Sequence, residues 1–316
     1  MSKRKNKTTQ IHSDDRYEFR WAYLAPNYWL IWIGFAVLWL ITRLPLSAVL
    51  KVGDGLGLLL YNIGGIRVTI GQRNLELCFP EKSAAEREQI LRQCFKHCGH
   101  GLFLSGIVWW SSIKRIKRLC RVEGLEPVTA AVANGEKVLL VVPHSTCLEM
   151  SSVAITEHFK FNVLFRVHDN PMWEYVAGKG RGRFNVRLFP RKEVKRFLQS
   201  LETEGTAALA PDQDLGAKRS VFVPFFGVQT ATVPSVSDFA NVTGAKVAFV
   251  DYYMDENSMF VARCGGILDN FPTDDKVADT ARLSAILEES IRQHPEQYLW
   301  LHRRFKTRPE GEAKLY

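Results

Sequence analysis

Residues 21–42 contain no charged side chain, and from Tyr28 onward nearly every position is apolar. An α-helix needs roughly 20 such residues to cross the hydrocarbon core of a bilayer, so few folds can absorb this stretch except at a membrane. Pro26 and Pro45 bracket it, and Trp21, Tyr23, Tyr28, Trp29 and Trp39 suit the headgroup zones. A secretory signal peptide is excluded because the apolar core is too long and Arg43 follows it instead of a small-residue cleavage site. A helix buried inside a large domain is the alternative.

The expected layout is a basic tail over residues 1–20, a membrane-anchoring helix over 21–43, a helical membrane-proximal region over 44–121 and an α/β catalytic core over 122–316. Residues 44–66 carry Lys51 and Asp54 among many leucines and are expected to lie against the bilayer. Basic residues stand on both sides of the apolar run: Lys3, Arg4, Lys5, Lys7, Arg16 and Arg20 before it, Arg43 and Lys51 after it. Charge bias alone would keep the N-terminus in the cytosol and export the rest. Six scattered cysteines without framework spacing argue instead for reduced thiols facing the cytosol. A helix that enters one leaflet without spanning satisfies both constraints.

The net charge of +9 favours anionic partners such as phospholipid headgroups, phosphorylated glycolipids or an acidic carrier protein. Nucleic acid is disfavoured because no zinc-finger, RNA-recognition or basic-aromatic pattern is present. Cys94, His97, Cys98 and His100 crowd one predicted helix but do not share a face, and no metal site is expected there. Lys114, Arg115, Lys117, Arg118 and Arg121 form a basic cluster that is either a solvated helix face or a contact for anionic lipid or carrier.

Ser83 followed by Glu86 is a capping-box pattern that starts a helix running to about Gly101. Beyond residue 120, helical and strand-like runs alternate. Residues 137–143 are a short continuous apolar run, as expected of a strand covered on both faces. Further strands are expected at 162–166, 186–189, 206–210 and 246–253. The pattern predicts an α/β layered domain with a largely parallel central sheet flanked by helices, plus the N-terminal anchor.

His144-Ser145-Thr146-Cys147-Leu148-Glu149 places an imidazole at the end of the first apolar strand and a carboxylate in the first turn of the following helix. The ends of such strands are where open α/β sheets gather ligands. An alcohol attacking a thioester must lose its proton, and a neutral imidazole can take it near physiological pH. Glu149 is expected to hold the other ring nitrogen and fix the tautomer. No enzyme nucleophile, metal or cofactor is required. The chain has no G-x-S-x-G, P-loop, G-x-G-x-x-G or H-E-x-x-H pattern to offer a rival site.

Other blocks supply candidate substrate contacts. Asn170 follows a strand, and Arg181 and Arg183 could grip phosphate bidentately. Asp212, Gln213 and Asp214 stand in a turn after another strand, suited to binding a hydroxyl or orienting an arginine. Residues 222–227 are apolar and could wall an acyl channel, or simply be core. His302, Arg303 and Arg304 belong to a basic, aromatic C-terminal stretch expected to meet anionic headgroups.

Taken together, the chain from about residue 20 to 310 resembles the late lipid A acyltransferases, the lauroyl and myristoyl transferases of Gram-negative lipopolysaccharide assembly. The resemblance rests on Asn74 with Phe79-Pro80-Glu81, the 144–149 motif, Asp169-Asn170-Pro171 with Arg181 and Arg183, Asp212-Gln213-Asp214, residues 223–227 and residues 297–306. It implies an inner-membrane enzyme with its catalytic domain at the cytoplasmic face. It also implies acyl-acyl carrier protein as donor and, as acceptor, a β-hydroxyacyl hydroxyl on a Kdo-bearing lipid A precursor. The H-x4-[D/E] pair is shared with glycerophosphate acyltransferases, so two alternatives stay open. One is acylation of another lipid, such as a lysophospholipid or mannosylated phosphoinositide; the other is a non-catalytic lipid-binding protein.

Overall fold

The computed structural model describes residues 17–184 and 186–316; the expected basic tail over 1–20 falls outside it up to residue 16. A seven-stranded sheet organises the chain, in the order β1-β9-β8-β2-β5-β3-β4. These strands are β1 (Cys120–Glu123), β2 (Val138–Val141), β3 (Phe161–Phe165), β4 (Val186–Pro190), β5 (Thr206–Leu209), β8 (Lys246–Met254) and β9 (Phe260–Ile267). Every neighbouring pair is parallel except β8 with β9. The layered, mostly parallel sheet follows the alternation in the sequence. Four strands were not legible there: β1, which is only four residues long, β9, and the hairpin of β6 (Val221–Phe225) and β7 (Val228–Thr232), which stands apart from the main sheet.

All four residues of β2 are buried. Val138 and Leu140 join one core cluster while Leu139 and Val141 join the other, as the alternation of side chains along a strand requires. The first cluster packs under α4 (Ala84–Trp110), α6 (Glu126–Ala133) and α7 (Leu148–Ile155). The second packs under α9 (Val194–Glu204), α10 (Ser235–Thr243) and α11 (Lys276–Gln293).

Helix α4 begins at the expected capping box: the Glu86 amide donates to Ser83 Oγ at 3.2 Å and the Ser83 amide to Glu86 Oε2 at 2.7 Å. It runs nine residues past Gly101, because Phe103, Leu104, Ile107 and Val108 continue a buried stripe at helical spacing.

The N-terminal apolar run does not form one long helix. It breaks into two 3-10 turns, Trp21–Leu24 and Pro26–Tyr28, followed by α1 (Trp29–Ile41). Pro26 disfavours the helical conformation for the residue before it, and Ala25 is extended (φ −62°, ψ 150°). Thirteen residues span about 20 Å, short of a hydrocarbon core of about 30 Å. A single helix over 21–43 is therefore not formed: the shorter α1 lays Phe35 and Leu38 into the core, with the Phe35 ring 5.2 Å from that of Trp173, and leaves other apolar side chains exposed.

Helix α2 (Leu46–Ile63) is the one helix among the described residues long and apolar enough to cross a membrane. It packs along α4 through Val49, Gly53 and Gly57, one residue every helical turn. A Cβ on Gly57 would sit 2.2 Å from the Phe95 carbonyl oxygen, and one on Gly99 would sit 2.1 Å from that of Gly53. Backbone therefore meets backbone across this seam. Away from this seam α2 leaves Val52, Leu59, Leu60 and Ile63 exposed, and α1 leaves Leu30, Ile33 and Leu40 exposed.

Candidate active site

His144 lies three residues beyond β2, and Asp212 lies three residues beyond β5. The parallel register pairs Val141 with Leu209, so the two chain ends emerge side by side. Asp212 then holds His144 twice: Oδ2 accepts from the His144 backbone N–H at 2.9 Å and Oδ1 from Nδ1 at 2.5 Å. A carboxylate can only accept, so Nδ1 carries a proton, and in the neutral imidazole Nε2 keeps its lone pair. The Asp212 side chain is fully buried while that of His144 is 27% exposed, so the pair is anchored from below and open above.

Burial opposes charge on both partners, but their mutual attraction wins. The His144 pKa is raised above the ordinary imidazole value by Asp212 despite desolvation. The Asp212 carboxyl, pushed up by burial, is drawn down to about 2 by His144, whose charge and hydrogen bonds outweigh that penalty.

The C-terminal block supports this corner from the other side. The Leu299 N–H donates to the His144 carbonyl at 3.1 Å and the Thr146 N–H to the Gln297 carbonyl at 2.9 Å. Tyr298 is buried, and burial together with the charge of Asp212 raises its hydroxyl pKa well above the ordinary value. Asn74 secures the same block through Nδ2, which donates to the Trp300 and His302 carbonyls at 2.7 and 2.8 Å.

Glu149 is not the group that orients His144; that expectation is corrected. From the first turn of α7 its carboxylate faces α4 and α8 (Pro171–Arg181). It accepts from Ser105 Oγ at 2.9 Å, Trp109 Nε1 at 2.7 Å, and Arg181 Nε and one terminal guanidinium N–H at 3.0 Å each. Five residues along a strand-loop-helix turn carry Glu149 to the helix side of the sheet, whereas the strand register delivers Asp212 to the imidazole directly. Burial works against ionising Glu149, yet Arg181, Trp109 and Ser105 hold its pKa below the usual range.

Several residues expected to touch substrate are committed to the scaffold. Asn170 caps α8, its Oδ1 accepting from the Met172 and Trp173 amides. Arg183 closes the end of α4 by donating to the carbonyls of Val108, Trp109 and Ser111. Asp214 is buried and accepts from Gly216 N, Thr307 N and Thr307 Oγ1. Arg304 is buried and donates to the Ala231 carbonyl and Thr232 Oγ1, so it cannot meet a headgroup directly. In the basic cluster, Arg115 donates to the Thr42 and Leu44 carbonyls and pins the link between α1 and α2.

The remaining candidates stay accessible. Arg181 and His302 are partly exposed, Gln213 is half-buried, and Arg303 is exposed beside the ring of Tyr316. The His302 pKa is held below the ordinary value, first by burial and then by nearby His144. Ser105, Trp109 and Tyr298 were not foreseen as site residues; they lie in other elements, and no local pattern marks them.

An ionised Asp212 beneath a Nδ1-protonated imidazole is an arrangement for taking a proton from a substrate at Nε2. The comparisons agree in class. A sequence profile of the bacterial lipid A biosynthesis acyltransferases matches residues 16–307. The lipid A biosynthesis lauroyltransferase of Escherichia coli (strain K12) is 36% identical over 306 residues, covering 95% of this chain and 98% of that protein. The lipid A biosynthesis palmitoleoyltransferase of the same organism is 34% identical over the same shares. Its lipid A biosynthesis myristoyltransferase is 28% identical over 319 residues, all of this chain and 97% of that one. With the motif at the strand end and the match running through the whole sheet, the chain belongs to the bacterial lipid A biosynthesis acyltransferase family and is an acyltransferase.

Proposed function

We propose that this enzyme transfers a fatty acyl chain from acyl-acyl carrier protein to the hydroxyl of a β-hydroxyacyl chain on a Kdo-bearing lipid A precursor. The observation that carries this reading is the buried Asp212 carboxylate on Nδ1 of His144, which leaves Nε2 for the acceptor hydroxyl. The hydroxyl proton passes to Nε2 as its oxygen bonds to the thioester carbonyl carbon. The tetrahedral intermediate then expels the carrier thiolate, breaking the C–S bond, and the imidazolium returns the proton to sulfur. Asp212 stays ionised throughout and stabilises the imidazolium.

Glu149 acts here by fixing Arg181 rather than by touching His144. Gripped through two of its three nitrogens, the guanidinium has one nitrogen left for a phosphate of the acceptor. The net charge of +9 fits both a phosphorylated glycolipid and an acidic carrier. The exposed apolar faces of α1 and α2 would seat the enzyme in the inner membrane from its cytoplasmic side, lying in one leaflet rather than crossing it. The relatives named for lauroyl, palmitoleoyl and myristoyl transfer support a long-chain donor.

Mass spectrometry of lipid A from a strain lacking this chain tests the reading. Loss of one secondary acyl chain, restored by the wild-type gene and not by His144→Ala, is the expected result. Changed phospholipids with intact lipid A would move the acceptor to another lipid.

A further inference from the structure

Arg304 is 3% exposed, yet among the described residues no carboxylate forms an ion pair with it. Its two terminal nitrogens donate to a carbonyl (Ala231, 2.8 Å) and a hydroxyl (Thr232 Oγ1, 2.7 Å), while Nε has no partner. The guanidinium lies 5.1 Å from the ring centroid of Phe225. A charge buried among neutral contacts is costly, and its field is weakly screened. It must therefore be matched by charge a little further off.

Two carboxylates with fully buried side chains, Asp212 and Asp214, attract it. Asp214 has its own cation, Lys306, with Nζ at 4.0 Å, and three donors besides. Asp212 has His144 and Tyr298, neither of which is a permanent cation. Asp212 and Arg304 also line the same small internal cavity of about 20 Å³, with Thr232, Thr280 and Ser284 contributing its polar wall.

We infer that Arg304 is a positioning residue for the acyl transfer: its buried cation holds Asp212 as the anion that receives the His144 N–H. The inference rests on His144 being the base. When His144 gains the acceptor proton, the imidazolium faces a carboxylate that could otherwise take that proton; the guanidinium opposes this by favouring ionised Asp212. Burial lowers the Arg304 pKa, against the attraction of Tyr298, Asp212 and Asp214, with Cys78 also facing it. Arg304 in turn adds to the depression of the Asp212 carboxyl that burial resists and His144 chiefly causes. His302, which faces both His144 and Lys306, completes the charged surroundings.

The test is kcat/KM against pH for the full-length enzyme with its acyl donor and lipid acceptor. Arg304→Gln keeps hydrogen bonds to Ala231 and Thr232 within reach but removes the charge. With less positive charge beside Asp212, the His144 imidazolium is favoured, so the acid limb should move up by about half a pH unit or more. Arg304→Lys, which restores the cation, should return the limb close to the wild-type position. Thr232→Val, which loosens the guanidinium and preserves the fold, should move the limb the same way by less, and it decides the matter if Arg304→Gln does not fold. A limb that stays in place or moves down while activity falls would overturn the inference and leave Arg304 a packing residue. Retained activity in His144→Ala would instead remove the base assignment itself, so the two failures are told apart.

Discussion

The two oxygens of Asp212 are divided between the backbone N–H and the ring Nδ1–H of His144, at 2.9 and 2.5 Å. Both the position and the tautomer of the imidazole are thereby set by one buried carboxylate 68 residues away in the chain. The acid of the H-x4-[D/E] motif, Glu149, is meanwhile turned to Arg181.

His144→Ala should lower transfer by about 10²-fold or more, the range expected for loss of a general base. The purified variant should keep its thermal melting temperature within a few degrees. Near wild-type rates in a folded His144→Ala protein would exclude the assigned chemistry.

Asp212→Asn carries a signed pH prediction. The His144 pKa is raised by Asp212 against burial, so the wild-type acid limb of kcat/KM should lie above the ordinary imidazole value of about 6.5. Removing the negative charge leaves burial unopposed and should shift that limb to lower pH, with a large fall in kcat. A limb moving upward would contradict the pairing.

Glu149 and Arg181 should behave as one unit. Glu149→Gln and Arg181→Met should each cost about 1–3 kcal/mol of stability, since breaking a partly buried pair leaves a lone charge. The double variant should cost clearly less than the sum, a coupling that a double-mutant cycle measures. In paired assays, Arg181→Met should also reduce transfer to the lipid acceptor far more than hydrolysis of the donor by water. Equal losses in both reactions would leave Arg181 a purely structural partner.

The α2–α4 seam gives a prediction with an internal control. Gly57→Ala drives a methyl into the Phe95 carbonyl and should destabilise the protein by about 1–3 kcal/mol. Gly55→Ala lies two residues away with no atom within 4 Å of the new methyl. It should be neutral or stabilise by roughly 0.5–1 kcal/mol. Melting curves in detergent should fall for Gly57→Ala and stay level or rise for Gly55→Ala.

Leu30 and Ile63 are 82% and 71% exposed on the apolar faces of α1 and α2. A charge at a site that enters hydrocarbon costs about 2.5–3.5 kcal/mol on insertion scales. The combined Leu30→Glu and Ile63→Glu variant should therefore move from the membrane pellet to the soluble fraction. If it still resists carbonate extraction, those faces do not meet lipid.

Much of this molecule is written in local pattern. The fully apolar run at 138–141 is a strand buried on both faces, the Ser83 and Glu86 pair starts a helix, and His144 stands just past a strand end; each follows from neighbours a few residues apart. Local pattern could not choose which acid meets His144, because Glu149 and Asp212 are equally good acceptors in one dimension. The pairing of Val141 with Leu209 made that choice, since parallel strands in register deliver the residues beyond their ends side by side. Pro26 was in plain view, but its consequence, a 13-residue α1 that packs against the core in place of a 22-residue span, depended on Trp109 and Trp173 being there to receive Phe35. Arginine side chains were the least legible of all. A guanidinium serves a phosphate, a carboxylate or a helix end with the same donors, and only the folded chain assigned Arg181 to Glu149, Arg183 to the end of α4 and Arg304 to the buried Ala231 carbonyl and Thr232 hydroxyl.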